Sequence, residues 1–169
     1  MSSKTRDLTL SALFSALSIV SMLLASIWPT GQLGFAAFAS LFVAAAIVES
    51  GIRYGVCVYI VSSALAALLL PVKTVPLIFA LFFGYYPVVK RLAERIKRAP
   101  LRWVPKLVVF NAALTVLWFL VGALTFDFAD TVPGTALTYL AGNAVFILFD
   151  YGFSKVIALY GERVSKKNR

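Results

Sequence analysis

A chain of 169 residues with 61% hydrophobic side chains and only 14% Asp, Glu, Lys and Arg is far from the composition of a soluble domain, where charged residues alone reach about 25%. The length suits a single transmembrane domain over residues 1–169 and leaves no room for an added soluble domain. The net charge of +9 is distributed between apolar runs, so it points to membrane orientation and sets nucleic acid aside as a partner.

The first apolar run, residues 8–28, carries no formal charge and matches the roughly 20 residues that cross a hydrocarbon layer of about 30 Å as a helix. Basic residues precede it, as in a secretory signal. It is longer than a usual signal core and lacks a small-x-small cleavage site before Pro29, so it is read as part of the mature protein. On a repeat of about 3.6 residues, Leu10, Leu13, Leu17, Val20 and Leu24 form a bulky stripe suited to lipid. Ser11, Ala12, Ser15, Ala16, Ser18 and Ala25 crowd the opposite arc. Small residues four apart, such as Ala12 and Ala16, let another helix backbone come close, and such packing drives association inside a bilayer. The same spacing also serves packing within one bundle.

Trp28-Pro29-Thr30-Gly31 ends this run with an interfacial aromatic, a breaker and a turn. A second run covers residues 33–48 and ends at Glu49-Ser50-Gly51; a third covers residues 54–70 and stops before Pro71. Glu49 and Arg53 read most simply as an i,i+4 surface pair, and the single Cys57 allows no intramolecular disulfide. The fourth run starts near Val75, passes Gly84-Tyr85-Tyr86-Pro87 with an expected kink at Pro87, and becomes charged at Lys90. Beyond it, Val88, Val89, Leu92, Ala93 and Ile96 recur at helical spacing against Arg91, Glu94, Arg95 and Arg98. This predicts that the helix continues as an amphipathic segment along the inner membrane surface, with anionic lipid as the neighbour of the stretch from Lys90 to Lys106. The fifth run covers about residues 107–126 and the sixth about 136–153 or slightly beyond, giving an all-α integral membrane protein with a bundle of six transmembrane helices.

Orientation follows from the basic residues. Lys4, Arg6, Arg53, the cluster from Lys90 to Lys106, and the group Lys155, Arg163, Lys166, Lys167 and Arg169 all fall on one side; only Lys73 of the 16 Lys and Arg residues falls on the other. With an even number of spans, both termini are expected in the cytoplasm of a multi-pass plasma-membrane protein.

Polar residues inside the spans are few, and such groups generally face protein or a water-filled cavity. The sixth span carries Tyr139, Asn143, Phe146 and Asp150 on one stripe, and the fifth carries Asn111, Thr115, Trp118 and Gly122 at the same intervals. As an antiparallel hairpin, equal depth to within about a turn would pair Asn111 with Asp150, Thr115 with Phe146, Trp118 with Asn143 and Gly122 with Tyr139. The deep pair Asn111 and Asp150 reads equally well as helix-to-helix packing in which the two satisfy one another. The shallower Trp118, Tyr139 and Asn143 read more as walls and orienting groups of a small-molecule pocket.

Six spans with little else, opened by Ala12 and Ala16 in the first, resemble the substrate-binding S components of energy-coupling factor (ECF) type vitamin transporters. The resemblance implies that Ala12 and Ala16 dock on a transmembrane coupling subunit that works with ATPase subunits. It also implies a small substrate held near the outer face by the later helices and capped by outward loops, here Trp28 to Gln32 and the loop of residues 127–135. Lys73 would be a counter-charge for an anionic substrate, although a lysine at a helix end is more simply solvated. Asp127 and Asp130 read as loop solvation and helix capping instead of a metal site. The chain departs from the better-known members in lacking a Gly-Pro-rich turn after the second span and any biotin- or riboflavin-type signature, so the resemblance leaves the vitamin open.

The absence of His removes His-dependent triads, HExxH sites and histidine metal ligands, and with them the nickel and cobalt branch of the family. An intramembrane aspartyl protease needs two carboxylates sharing a proton, whereas Asp150 is the lone carboxylate at depth. No glycine-rich phosphate loop is present, so energy for transport would come from a partner. No catalytic, cofactor or metal site is expected. A structural protein of cell-envelope assembly, and a small proton-coupled transporter using Asp150, are the competing readings.

Overall fold

The computed structural model describes residues 3–125 and 132–167. Among these the chain is all-helical, and six helices are long and apolar enough to cross a membrane. In chain order they are α1 (Ser3–Ile27), α2 (Gln32–Ser50), α3 (Ile52–Leu69), a composite fourth span made of α4 (Thr74–Ile78), a π-helical turn (Phe79–Phe83) and α5 (Tyr86–Ala93), then α6 (Ala99–Thr125) and α7 (Val132–Lys167). Two compact units result: Met1–Leu92 with Ile157–Arg169, and Ala93–Val156.

In the first unit, α1, α2 and α3 pack on one another through small residues. On α1, Ser11, Ser15, Ser18, Met22 and Ala25 are buried along a single narrow line. Against it α2 buries Ala36, Ala39, Ser40, Val43 and Ile47, and α3 buries Gly55, Val58, Ser62 and Ala66. The hydroxyl of Ser18 donates to the Ala39 carbonyl at 3.1 Å, while Ser21 and Ser26 bond back to the carbonyls of Leu17 and Met22 one turn earlier. Serine can therefore line a membrane interface without leaving its hydroxyl unpaired. Of the expected bulky stripe, Leu13, Leu17, Val20 and Leu24 are exposed and Leu10 is half-buried. The small arc, however, divides. Its serines and Ala25 pack internally, whereas Ala12 and Ala16 lie about 100° around the helix and are exposed.

Gly51 makes the one-residue connection between α2 and α3. Its φ of +96° is a conformation that favours glycine, and its amide donates to the Ile47 carbonyl at 3.1 Å. This break separates Glu49 from Arg53, so the expected i,i+4 pair does not form. Glu49 is taken instead by Arg6 at 3.2 Å and by the Tyr160 hydroxyl, which donates to its other oxygen at 3.1 Å. Beside them Ser50 donates to Asp7 at 3.1 Å. The start of α1, the α2–α3 turn and the late part of α7 thus meet at one end of the first unit.

The irregularity of the fourth span lies one turn before Pro87, in the wide turn at Phe79–Phe83, where the Gly84 amide donates to the Phe79 carbonyl at 2.7 Å. An inserted residue disturbs the helical hydrogen-bond ladder. The Tyr59 hydroxyl of α3 donates to the Ala80 carbonyl within that turn at 2.9 Å, and Gly84 lies beneath the Tyr59 ring.

The amphipathic continuation of this span is shorter than expected. Helix α5 ends at Ala93, and Ile96 closes a turn onto the Ala93 carbonyl at 3.0 Å. Arg102 then donates to the Ile96 carbonyl at 2.7 Å. Helix α6 begins at Ala99, where Pro100 fits a first helical turn because its missing amide hydrogen is not needed there. The fifth span accordingly starts near Pro100, not Leu107, and places Lys106 inside the helix. Lys90 and Lys106 are both buried, so the exposed basic surface of this stretch is Arg91, Arg95, Lys97 and Arg98. Helix α7, at 36 residues, is about 54 Å long and continues well past the expected end near Phe153.

Candidate functional site: a polar ladder between two helices

In the second unit, α6 and α7 run antiparallel and meet in a series of rungs. The Lys106 ammonium lies 3.0 and 3.2 Å from the two carboxylate oxygens of Asp150, with side chains only 7% and 5% exposed. The Trp103 ring sits 5.2 Å from the same ammonium, close enough for a cation–π contact. Next along the hairpin, the rings of Phe110 and Phe146 stack at 4.5 Å with an 11° interplanar angle. Asn111 and Asn143 follow, each donating to the other's side-chain oxygen at 3.0 Å. The Thr115 and Tyr139 hydroxyls then share a hydrogen bond of 2.6 Å.

Each asparagine also donates its second N–H to its own helix, Asn111 to Leu107 and Asn143 to Tyr139, both at 2.8 Å. A side-chain amide has two donors and one carbonyl, so the donors of both residues are occupied. Thr115 back-bonds to the Asn111 carbonyl at 2.7 Å and Ser154 to the Asp150 carbonyl at 2.6 Å. This half-buried seam is closed by its own groups, as backbone and side-chain polarity must be in hydrocarbon.

The observed register differs from equal-depth pairing by about two turns. Asn111 meets Asn143, not Asp150; Asp150 is held by Lys106, not alone; Thr115 meets Tyr139, not Phe146. Trp118 lies beyond Thr115 and is separated from the Asn143 rung, so the expected common depth of Trp118 and Asn143 does not hold; Tyr139 and Asn143 are successive rungs. The equal-depth pairing takes Lys106 for a cytoplasmic loop residue and so leaves Asp150 without a cation; Lys106 lies inside α6, level with Asp150, and their opposite charges meet. The sequence did carry a signal: Lys106, Phe110 and Ala113 recur at helical spacing, and all are buried.

The remaining expected site residues belong to the first unit. Trp28 is exposed and Gln32 half-buried at the connection between α1 and α2. Lys73 is exposed, and its ammonium donates to the Ala67 carbonyl at 2.7 Å, which makes it a cap on the C-terminal end of α3. Ala12 and Ala16 lie on the exposed side of α1. Asp127, Asp130 and most of the loop of residues 127–135 fall outside the described residues, as does Arg169; Gly122 lies on α6. No cluster of three or more potential metal-ligating Cys, Asp or Glu side chains occurs among the described residues.

Comparison with known protein families, with curated proteins and with solved structures finds no match to this chain.

Proposed function

We propose that this protein is the substrate-capture subunit of an ECF-type importer, taking up a small vitamin-like nutrient near the outer face of the plasma membrane. It would work with a transmembrane coupling subunit and ATPase subunits. The observation that carries this reading is the division of α1: its serine line is consumed by packing on α2, while Ala12 and Ala16 are exposed among Leu13, Leu17 and Val20. A smooth exposed patch on an apolar helix is the surface on which a second membrane helix packs closely.

In this reading both termini are cytoplasmic. The basic-residue asymmetry supports that orientation, and the meeting of Arg6 and Asp7 with Glu49, Ser50 and Tyr160 at one end of the first unit supports both chain ends lying on the same side. Arg91, Arg95, Lys97 and Arg98 then face anionic lipid headgroups. Within the second unit the substrate contacts fall to Trp118, Tyr139 and Asn143; the Asn143 N–H groups are engaged by Asn111 and the Tyr139 carbonyl, so it offers the second lone pair of its oxygen.

A second reading, a structural protein of envelope assembly, is favoured by the closed bonding of Asn111 and Asn143, which behaves as packing. Purification in native lipid followed by mass spectrometry of bound small molecules separates the two. A recurrent heterocycle, together with co-purifying coupling and ATPase subunits, supports the importer; an empty protein without those subunits sinks it.

A further inference from the structure

The buried Lys106–Asp150 pair is not used by substrate capture or by partner docking. Buried ion pairs contribute little net stability, because desolvation offsets their attraction, and well-packed apolar replacements are often neutral or better; their best-attested use is to fix register. We propose that Lys106 and Asp150 are positioning residues that select the register of the α6–α7 hairpin, and thereby which rungs of the ladder meet.

The sequence makes that selection necessary. On α7, Tyr139, Asn143, Phe146 and Asp150 share one stripe, so sliding α6 by seven residues, about 10 Å, returns a polar group to the same face. Asn111 would then meet Asp150 and Trp118 would meet Asn143, both acceptable contacts. Interhelical hydrogen bonds in a bilayer discriminate weakly, because competing arrangements also find partners. Charge discriminates strongly. The slid alignment carries the Lys106 ammonium about two turns away from the Asp150 carboxylate and so gives up their close ion pair. Only the observed register brings the ammonium within 3.0 Å of the carboxylate, and the Phe110–Phe146 stack at 4.5 Å forms in the same alignment.

Disulfide trapping in membranes tests this directly. With the single Cys57 replaced by Ser, one reporter pair is Leu114→Cys with Gly142→Cys, positions in contact in the structure: a Cβ at Gly142 would lie 3.3 Å from Leu114. The second pair, Leu114→Cys with Phe149→Cys, reports the slid alignment. Each is placed in the parent, in Lys106→Met/Asp150→Leu and in the reversed pair Lys106→Asp/Asp150→Lys. The parent is expected to cross-link only through 114 and 142. The apolar pair should raise the 114 to 149 yield by about tenfold or more relative to the parent, and the reversed pair should restore the parent pattern. A parent pattern in the apolar background overturns the proposal. So does failure of the reversed pair to restore it. Loss of both cross-links in the apolar background also overturns it, since the ion pair would then be needed to form the hairpin at all instead of choosing its register.

Discussion

Asn111 and Asn143 face each other across α6 and α7 with their side-chain amides joined by two reciprocal hydrogen bonds of 3.0 Å. Replacing either one strands the other's amide in a partly buried apolar seam. Asn111→Leu or Asn143→Leu alone is therefore expected to destabilise the protein by about 1–2 kcal/mol. The double replacement should be less damaging than the sum of the singles, because it leaves no stranded amide. A double-mutant cycle on reversible unfolding in detergent checks this, and simple additivity would show that the two amides act independently.

Lys106 and Asp150 should show a larger asymmetry. Breaking a buried pair from one side typically costs about 3–5 kcal/mol, whereas apolar replacement of both partners is near neutral. Asp150→Leu is expected to lower the unfolding midpoint sharply, with Lys106→Met/Asp150→Leu close to the parent. If Asp150→Asn instead leaves stability unchanged and abolishes uptake in a pH-dependent manner, Asp150 is a transport group and the proton-coupled reading takes precedence.

On α1, substitutions on the two sides should separate docking from folding. Ser18 is fully buried and bonded to Ala39, so Ser18→Leu forces extra volume into a tight helix contact and is expected to destabilise by about 1–3 kcal/mol. Ala12→Leu/Ala16→Leu adds bulk on an exposed face and should leave unfolding unchanged while removing co-purifying coupling subunit. Retention of that subunit by the double variant would sink the docking role.

Three glycines provide a graded test of helix approach. A methyl at Gly55 runs into the Ile47 side chain, and one at Gly84 comes within 2.5 Å of the Tyr59 ring; at Gly152 nothing lies within 4 Å. Gly55→Ala and Gly84→Ala are expected to destabilise by about 1–3 kcal/mol through overpacking, whereas Gly152→Ala should be neutral or stabilising by up to about 1 kcal/mol. Thermal unfolding of the three single variants reads the order.

What the sequence determined by itself was everything that depends on accumulated hydrophobicity and on local periodicity. The six apolar runs, the breaks at Pro29, Gly51 and Pro71, and the lipid-facing stripe of α1 follow from the demand that a spanning segment satisfy its own backbone and present apolar side chains outward. The polar stripe of α7 was legible for the same reason: one helix suffices to show which residues share a face. Tertiary structure decided whatever depends on a second element. Whether Ser15 or Ala16 is buried rests on which side of α1 meets α2, a rotation that a helix of small residues leaves open. The partner of Glu49 changed from Arg53 to Arg6 because Gly51 turns the chain between them. Lys106 is the clearest case. A lysine near the end of an apolar run reads as a loop residue, since an isolated ammonium is expelled from hydrocarbon. The Asp150 carboxylate, 44 positions away in sequence and on another helix, meets it at 3.0 Å, and that long-range contact, invisible from either helix alone, accompanies the register in which Asn111 meets Asn143 and Thr115 meets Tyr139.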